Sequence, residues 1–267
     1  MTGGGVLYLN VGMRYMTRLA VSIHSLRQHY GGPVTVMCWP QGVRDFVFTY
    51  FQALNVETRL IPLFVPRRNA CYSAKPTIMR NSPYERTVFL DADTLVTGDI
   101  TPLFPEGNEV VVTRFSDWVT TGRKVRGRIE GWRKVATEFV DDALSAPHPA
   151  INSGVMGFHH TSSFLTDWQS LTAKRSCFIC DEIACQICYR HHPYRLLDER
   201  YNFSPIHGKA TDGIVVRHHH GDRHCQDAEW RVAFLGAWNT NLCSIMSWAP
   251  ADDKSLAVHM RQTGMTP

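Results

Sequence analysis

Apolar positions along this chain follow two periods, and the two alternate. Val6–Leu9 is a short apolar run. Met16, Leu19, Ala20, Ile23 and Leu26 then recur on one helical face until Gly31-Gly32-Pro33 stops it. Val34–Cys38 is apolar and β-branched, a second strand; 46–54 fits a helix, Thr58–Ile61 a third strand, Thr87–Leu90 a fourth and Val110–Val112 a fifth. Strands that alternate with helices predict an α/β fold, with a mainly parallel central sheet between flanking helices. The second half is less regular. Gly154–Phe158 and Ile214–Val216 read as strands, while Phe164, Leu165, Trp168 and Leu171 share one helical face and Ile183 and Ile187 another.

Composition narrows this picture only a little. With 267 residues the chain reads as one domain, with a regular half over about 1–110 and a less regular half over about 111–267. Apolar residues at 44% and charged residues at 19% give a globular balance, and a net charge of +4 is too mild to imply nucleic acid by itself. No segment approaches the roughly 20 apolar residues of a membrane helix and no leader pattern opens the chain, so the expectation is a soluble cytoplasmic protein. Cys177, Cys180, Cys185 and Cys188 form two Cys-x-x-Cys steps. They are separated too briefly for the usual zinc loops and read better as buried thiols, with a metal site as the alternative. The segment Gly122–Lys134 holds Arg123, Lys124, Arg126, Arg128, Arg133 and Lys134 against Glu130 alone, a basic excursion between core strands.

The strongest chemical signal is Asp91-Ala-Asp93, delivered by the apolar strand Thr87–Leu90. Ligands in open α/β sheets bind beyond the carboxyl ends of strands. Two carboxylates there offer hard oxygen ligands to Mg2+ or Mn2+, which in turn neutralises a diphosphate. A second class uses a similar pattern: in haloacid-dehalogenase-like phosphatases Asp91 would be the nucleophile and Asp93 the acid/base. Thr94 falls one place early for that motif, and roughly ninety residues of βα pattern precede a motif that usually opens that fold.

With these residues in place the chain resembles the family 8 glycosyltransferases, the glycogenin and bacterial galactosyltransferase group. The resemblance runs in order from Val6 to His224: Val6-Leu-Tyr-Leu-Asn10-Val11 with Tyr15, then Lys75, Asp91-Ala92-Asp93, Asn152-Ser153-Gly154, Asp181-Glu182, Tyr201-Asn202-Phe203 and His218-His-His-Gly221. It implies a glycosyltransferase A fold and transfer of a hexose from a nucleotide sugar, favouring a UDP-sugar, with retention at the anomeric carbon. Asn10, Val11, Tyr15 and Ala92 would meet the nucleotide. Lys75, Gly221 and His224 would meet its phosphates. Asp91, Asp93 and His218 would hold Mn2+ or Mg2+, and Asn152, Asp181 and Asp117 would face the donor sugar.

Taken singly the residues read more blandly. Lys75 also fits a solvated lysine, Asn152-Ser153-Gly154 a turn, and Asp181 a helix N-terminal carboxylate. On a strand His218 and His220 face one side and His219 the other, which leaves His220 as the alternative ligand. Two positions depart from the family: His224-Cys225 replaces Lys-Pro, and Glu182 replaces a glutamine. The acceptor stays open, an anionic or nucleic-acid acceptor on Arg123–Lys134 with stacking on Trp132 being one reading.

Overall fold

Strand β1 (Thr2–Val11) runs through the centre of the molecule, with Val6, Leu7 and Tyr8 wholly buried. A strand covered on both faces must be apolar on both, which is why Val6–Leu9 is a run and not an alternation. The computed structural model describes residues 2–11, 15–39, 48, 51–61, 70–175, 177–208, 212–220 and 228–237. Around β1 lie β2 (Val34–Trp39), β3 (Glu57–Leu60), β4 (Tyr84–Leu90), β6 (Val110–Val119), β7 (Pro149–His159) and β8 (Tyr194–Leu197), in the order β3-β2-β1-β4-β7-β6-β8. All run the same way except β7, which is antiparallel to both β4 and β6. A separate antiparallel pair joins β5 (Thr94–Val96) to β9 (Val216–His218).

Helices cover both faces of the sheet, as two hydrophobic faces require. On one side pack α1 (Met16–Arg27) and α7 (Ala228–Ala237), with Leu19, Ile23, Trp230 and Phe234 in one core cluster. On the other pack α2 (Ala70–Arg80), α3 (Arg123–Glu130), α4 (Thr137–Ser145), α5 (Ser163–Lys174) and α6 (Cys180–Cys188), around Ile78, Ile129, Val140, Trp168 and Ile183. Burying each such side chain contributes roughly 1.5–3 kcal/mol.

Three features of this topology build a site. The chain winds outward from β1 to β3, then jumps back to place β4 on the other side of β1. That reversal opens a crevice beyond the ends of β1 and β4, where Asn10 and Asp91 lie. Because β7 is reversed, its beginning lies at the same end of the sheet: Leu90 pairs with Val155, and Asp91 N–H donates to Gly154 O at 2.7 Å. Finally, β9 pairs Thr94 with His218 and so sets the histidine beside Asp93.

Several expectations change. α2 falls where the sequence pattern gave no helix, because Pro76 sits inside it and withholds the N–H that Tyr72 O would accept. The last strand begins at Val216, two residues late, since the Ile214 carbonyl accepts from the Thr97 hydroxyl instead. Of the helix expected over 46–54, residues 51–53 are helical and most of the rest lies outside the described residues, as do Gly221 and His224. Trp132 is 1% exposed and packs in the core, so no base can stack on it. The basic stretch is α3 and the turn after it, and its Val125 and Ile129 face inward. Cys180, Cys185 and Cys188 are buried free thiols, and among the described residues the four cysteines form no metal-holding group.

Candidate active site

Asp91 and Asp93 leave β4 on a turn that hydroxyl groups pin down. Thr94 Oγ1 donates to Asp91 O at 2.8 Å and shares a 2.9 Å hydrogen bond with Ser22 of α1, whose Oγ also lies 3.0 Å from Tyr8 OH. From β9, His218 Nε2 lies 3.2 Å from Asp93 Oδ1 and 3.7 Å from Asp91 Oδ2. From α2, Lys75 Nζ lies 3.0 Å and 3.1 Å from the two oxygens of Asp91 and 3.1 Å from Asp181 Oδ2 at the start of α6. Ser153 Oγ donates to that same Asp181 oxygen at 3.0 Å.

The carboxylates and bases of this group shift one another strongly. Burial pushes the Asp91 carboxyl up, and the neighbouring Asp93 adds to the rise against the pull of Lys75 and His218. Burial alone would raise Asp93 too, but His218 holds it well below the usual range. Burial alone would lower His218 and Lys75; the carboxylates around each raise both instead. Asp91, Asp93 and His218 present one ligand atom each within 4.8 Å of one another, the one such group among the described residues. Two hard oxygens and an imidazole nitrogen suit Mn2+, and with water ligands Mg2+.

The tautomer of His218 is set for this role. Asn202 Oδ1 lies 2.9 Å from Nδ1, which therefore carries a proton and leaves Nε2 as the nitrogen that faces the aspartates and would give its lone pair to a metal. Asn202 is itself wholly buried and held by donation to Thr113 Oγ1 at 2.9 Å. His219 faces the opposite way, its ring 5.0 Å from Trp230, while the His220 ring lies 4.0 Å from His218. His218 is thus the member of the triplet that reaches the carboxylates.

Gly154 makes room for the group. A Cβ there would stand 2.1 Å from His218 Cε1 and 2.6 Å from Asp91 Oδ2. Gly154→Ala is therefore expected to weaken Mn2+ binding by at least about tenfold and to cost about 1–3 kcal/mol of stability through overpacking. Calorimetric titration and thermal melts check both; unchanged Mn2+ affinity would count against the cluster as a metal site.

Other expected residues fall at graded distances from this centre. Asn10 is 1% exposed at the end of β1; its Nδ2 reaches Cys38 Sγ at 3.9 Å and its Oδ1 has no partner among the described residues. Asp181 Oδ1 is likewise buried without a partner. Unpaired buried acceptors of this kind are costly until a donor arrives. Val11 ends β1, Ala92 packs against the core between the aspartates, and Tyr15 is 36% exposed just before α1 with Arg18 over its ring at 5.2 Å. Asn152 Oδ1 accepts from Gly154 N–H at 2.8 Å and its Nδ2 donates to Glu182 Oε2 at 2.5 Å. Asp117 sits apart on an exposed rim, where its Oδ1 accepts from Ser116 Oγ at 3.3 Å. Lys75 is buried as the counter-ion of Asp91 and Asp181, not free in solvent.

Glu182, the residue that departs from the family, has a marked environment. Burial pushes its carboxyl up from 4.5 to about 7, and Asp181 adds to the rise while Arg128, at 3.3 Å, opposes it. The folded protein keeps this proton up to about pH 7, whereas the unfolded chain releases it near 4.5. Between those values the folded state binds more protons, so stability falls as pH rises through the window, by on the order of 1–3 kcal/mol in the metal-free protein. Glu182→Gln is expected to melt like wild type at pH 4.5 and above it at pH 8. A difference between the two that does not change with pH would refute the buried charge.

No family model and no curated protein sequence matches the chain. Solved structures do. WbbM, a bifunctional glycosyltransferase, aligns with a TM-score of 0.62 at 16% identity over 97% of this chain, which spans 52% of WbbM. The galactosyltransferase LgtC, in complex with donor and acceptor sugar analogs, aligns at 0.57 and 14% identity over 98% of this chain and 96% of its own. The glycosyltransferase GlyE of Streptococcus pneumoniae TIGR4 aligns at 0.62 and 15% identity over 92% and 64%. The chain has the glycosyltransferase A fold of these enzymes. Among the described residues, no helix is long and apolar enough to cross a membrane.

Proposed function

We propose that this chain is a glycosyltransferase that moves a hexose from a nucleotide sugar, a UDP-sugar by resemblance, to an acceptor hydroxyl, with retention at the anomeric carbon. The observation that carries this reading is the Asp91, Asp93 and His218 cluster at the crevice where the strand order reverses, the place where such sheets take nucleotides. LgtC holds donor and acceptor sugar analogs in the same fold.

Asp91, Asp93 and His218 would hold Mn2+ or Mg2+, which supplies positive charge to the diphosphate as it leaves. The chain's own groups do the rest. Asn10 offers its unpaired Oδ1 to an N–H of the base, and Tyr15 offers a ring face. Asp181 offers its unpaired Oδ1 to a sugar hydroxyl, or to the positive charge that develops at the anomeric carbon. Asn152 and Ser153 keep Glu182 and Asp181 aimed inward. In the transfer the acceptor oxygen bonds to the anomeric carbon, the anomeric bond to the diphosphate oxygen breaks, and the acceptor proton leaves with the nucleoside diphosphate. The phosphatase alternative finds no matching frame: its nucleophile strand opens the fold, whereas Asp91 follows the fourth strand and is paired with Lys75.

A thermal-shift screen of nucleotide sugars with and without Mn2+ tests the reading. A UDP-hexose is expected to raise Tm only when Mn2+ is present. The reading fails if no nucleotide sugar does so, or if the protein releases phosphate from simple phosphomonoesters instead.

A further inference from the structure

Beyond Val112 the strand β6 loses regular pairing with β7, and its register shifts twice before Val119. Ser116 takes a left-handed backbone conformation there, with φ 53°. Irregularities of this kind re-aim side chains beside sites. Here they turn Asp117 and Trp118 outward onto a cavity of about 290 Å3, whose other walls are Val119, Gly122, Arg123, Lys124 and Val125.

Ring contacts link the cavity to the Asp91, Asp93 and His218 cluster. The Trp118 ring lies 5.1 Å from Phe115, Phe115 lies 5.4 Å from His220, and His220 lies 4.0 Å from His218. A chain of ring contacts therefore runs from His218 to Trp118, which keeps partial exposure. Lys124 Nζ stands 5.3 Å from the centre of that ring.

The two cations of this cavity are Arg123 and Lys124. Arg128 is taken by Glu182, and Arg133 by Glu130 and Asp141. Arg123 and Lys124 are exposed and pair with no carboxylate among the described residues. They also open α3, which has no acidic residue in its first turn and no side-chain cap. Cations at the positive end of a helix are unfavourable alone and become favourable when an anion sits between them.

We propose that Asp117, Trp118, Arg123 and Lys124 form the acceptor subsite, and that it takes a sugar carrying an anionic substituent, phosphate or carboxylate. This inference rests on the glycosyltransferase reading. The sugar ring lies on Trp118, a hydroxyl donates to Asp117, and the anion meets Arg123 and Lys124.

The test measures binding of three probes to the full chain with Mn2+ and UDP: methyl glucoside, glucose 6-phosphate and glucuronic acid. At least one anionic probe is expected to bind ten times more tightly than the neutral sugar. Preference for glucose 6-phosphate identifies a phosphate acceptor, and preference for glucuronic acid a carboxylate. The Arg123→Ala/Lys124→Ala variant is expected to erase the preference, Trp118→Ala to weaken all three probes alike, and Arg126→Ala on the same helix to change nothing. Equal binding of all probes by wild type, or a preference that survives the double variant, overturns the proposal. So does tight, salt-sensitive binding of single-stranded RNA with no preference among the sugars. Release of UDP from a UDP-hexose to water, read on wild type, separates the two claims: its absence strikes the glycosyltransferase reading, whereas its presence without anion preference strikes the acceptor subsite alone.

Discussion

Asp93→Asn is expected to slow metal-dependent release of nucleoside diphosphate from the donor by at least about a thousandfold, a loss of about 4 kcal/mol of transition-state stabilisation. The substitution keeps shape and removes one anionic ligand. Asp93 is the better target of the two aspartates, because among the described residues its ion pair is with His218, whereas Asp91 also balances Lys75. The fold should therefore survive, and a thermal melt of the variant in EDTA checks that it does. The decisive measurement is the rate at saturating donor across a Mn2+ titration. A rate within tenfold of wild type, or full wild-type activity in EDTA, would remove Asp93 from the chemistry.

Lys75→Ala should act first on stability. It leaves Asp91 and Asp181 without their shared counter-ion in a site where Lys75 itself is 7% exposed. Removing one partner of a buried ion pair costs about 3–5 kcal/mol, because the charge left behind stays buried. Urea unfolding in EDTA measures this. Mn2+ should return part of the loss, since it binds only the folded chain and neutralises Asp91. Lys75→Met, which keeps most of the volume, separates charge from packing: if it is as stable as wild type, the ion pair is not what Lys75 provides. Adding Asp181→Asn should then recover part of the Lys75→Ala loss, and strict additivity would show that the two residues are not coupled.

Much of this molecule can be read from its pattern. The β1-α1-β2 opening is local: apolar runs and one helical face that follow each other in the order of the folded elements. Asp91 and Asp93 were legible because an apolar strand feeding paired carboxylates has few other uses. What stayed hidden has specific causes. Pro76 masked α2, although Lys75 reaches the site only because that segment is helical. Asn202 stood in a recognised motif, but its role stayed unread, because it acts through a hydrogen bond to a residue sixteen positions away. Trp132 looked like a stacking surface because its neighbours are basic, yet those neighbours are the outward face of α3 and of the turn that buries it. The aromatic that does border a cavity, Trp118, lies just before the basic stretch, and only the irregular end of β6 turns it there.

The single reversed strand has a consequence for the order in which the molecule comes together. β1, β2, β3 and β4 lie within the first 90 residues and pair without β7. They can form while the rest of the chain is still being synthesised, and short closures form fastest. At that stage Lys75, Asp91 and Asp93 exist, but Gly154 has not closed on Asp91, Asp181 has not reached Lys75, and His218 has not met Asp93. On the proposed reading the cation site would therefore be assembled only once β9 has paired, and a growing chain carries the two aspartates before their third partner. Cation affinity would then report on pairing of β9 with β5.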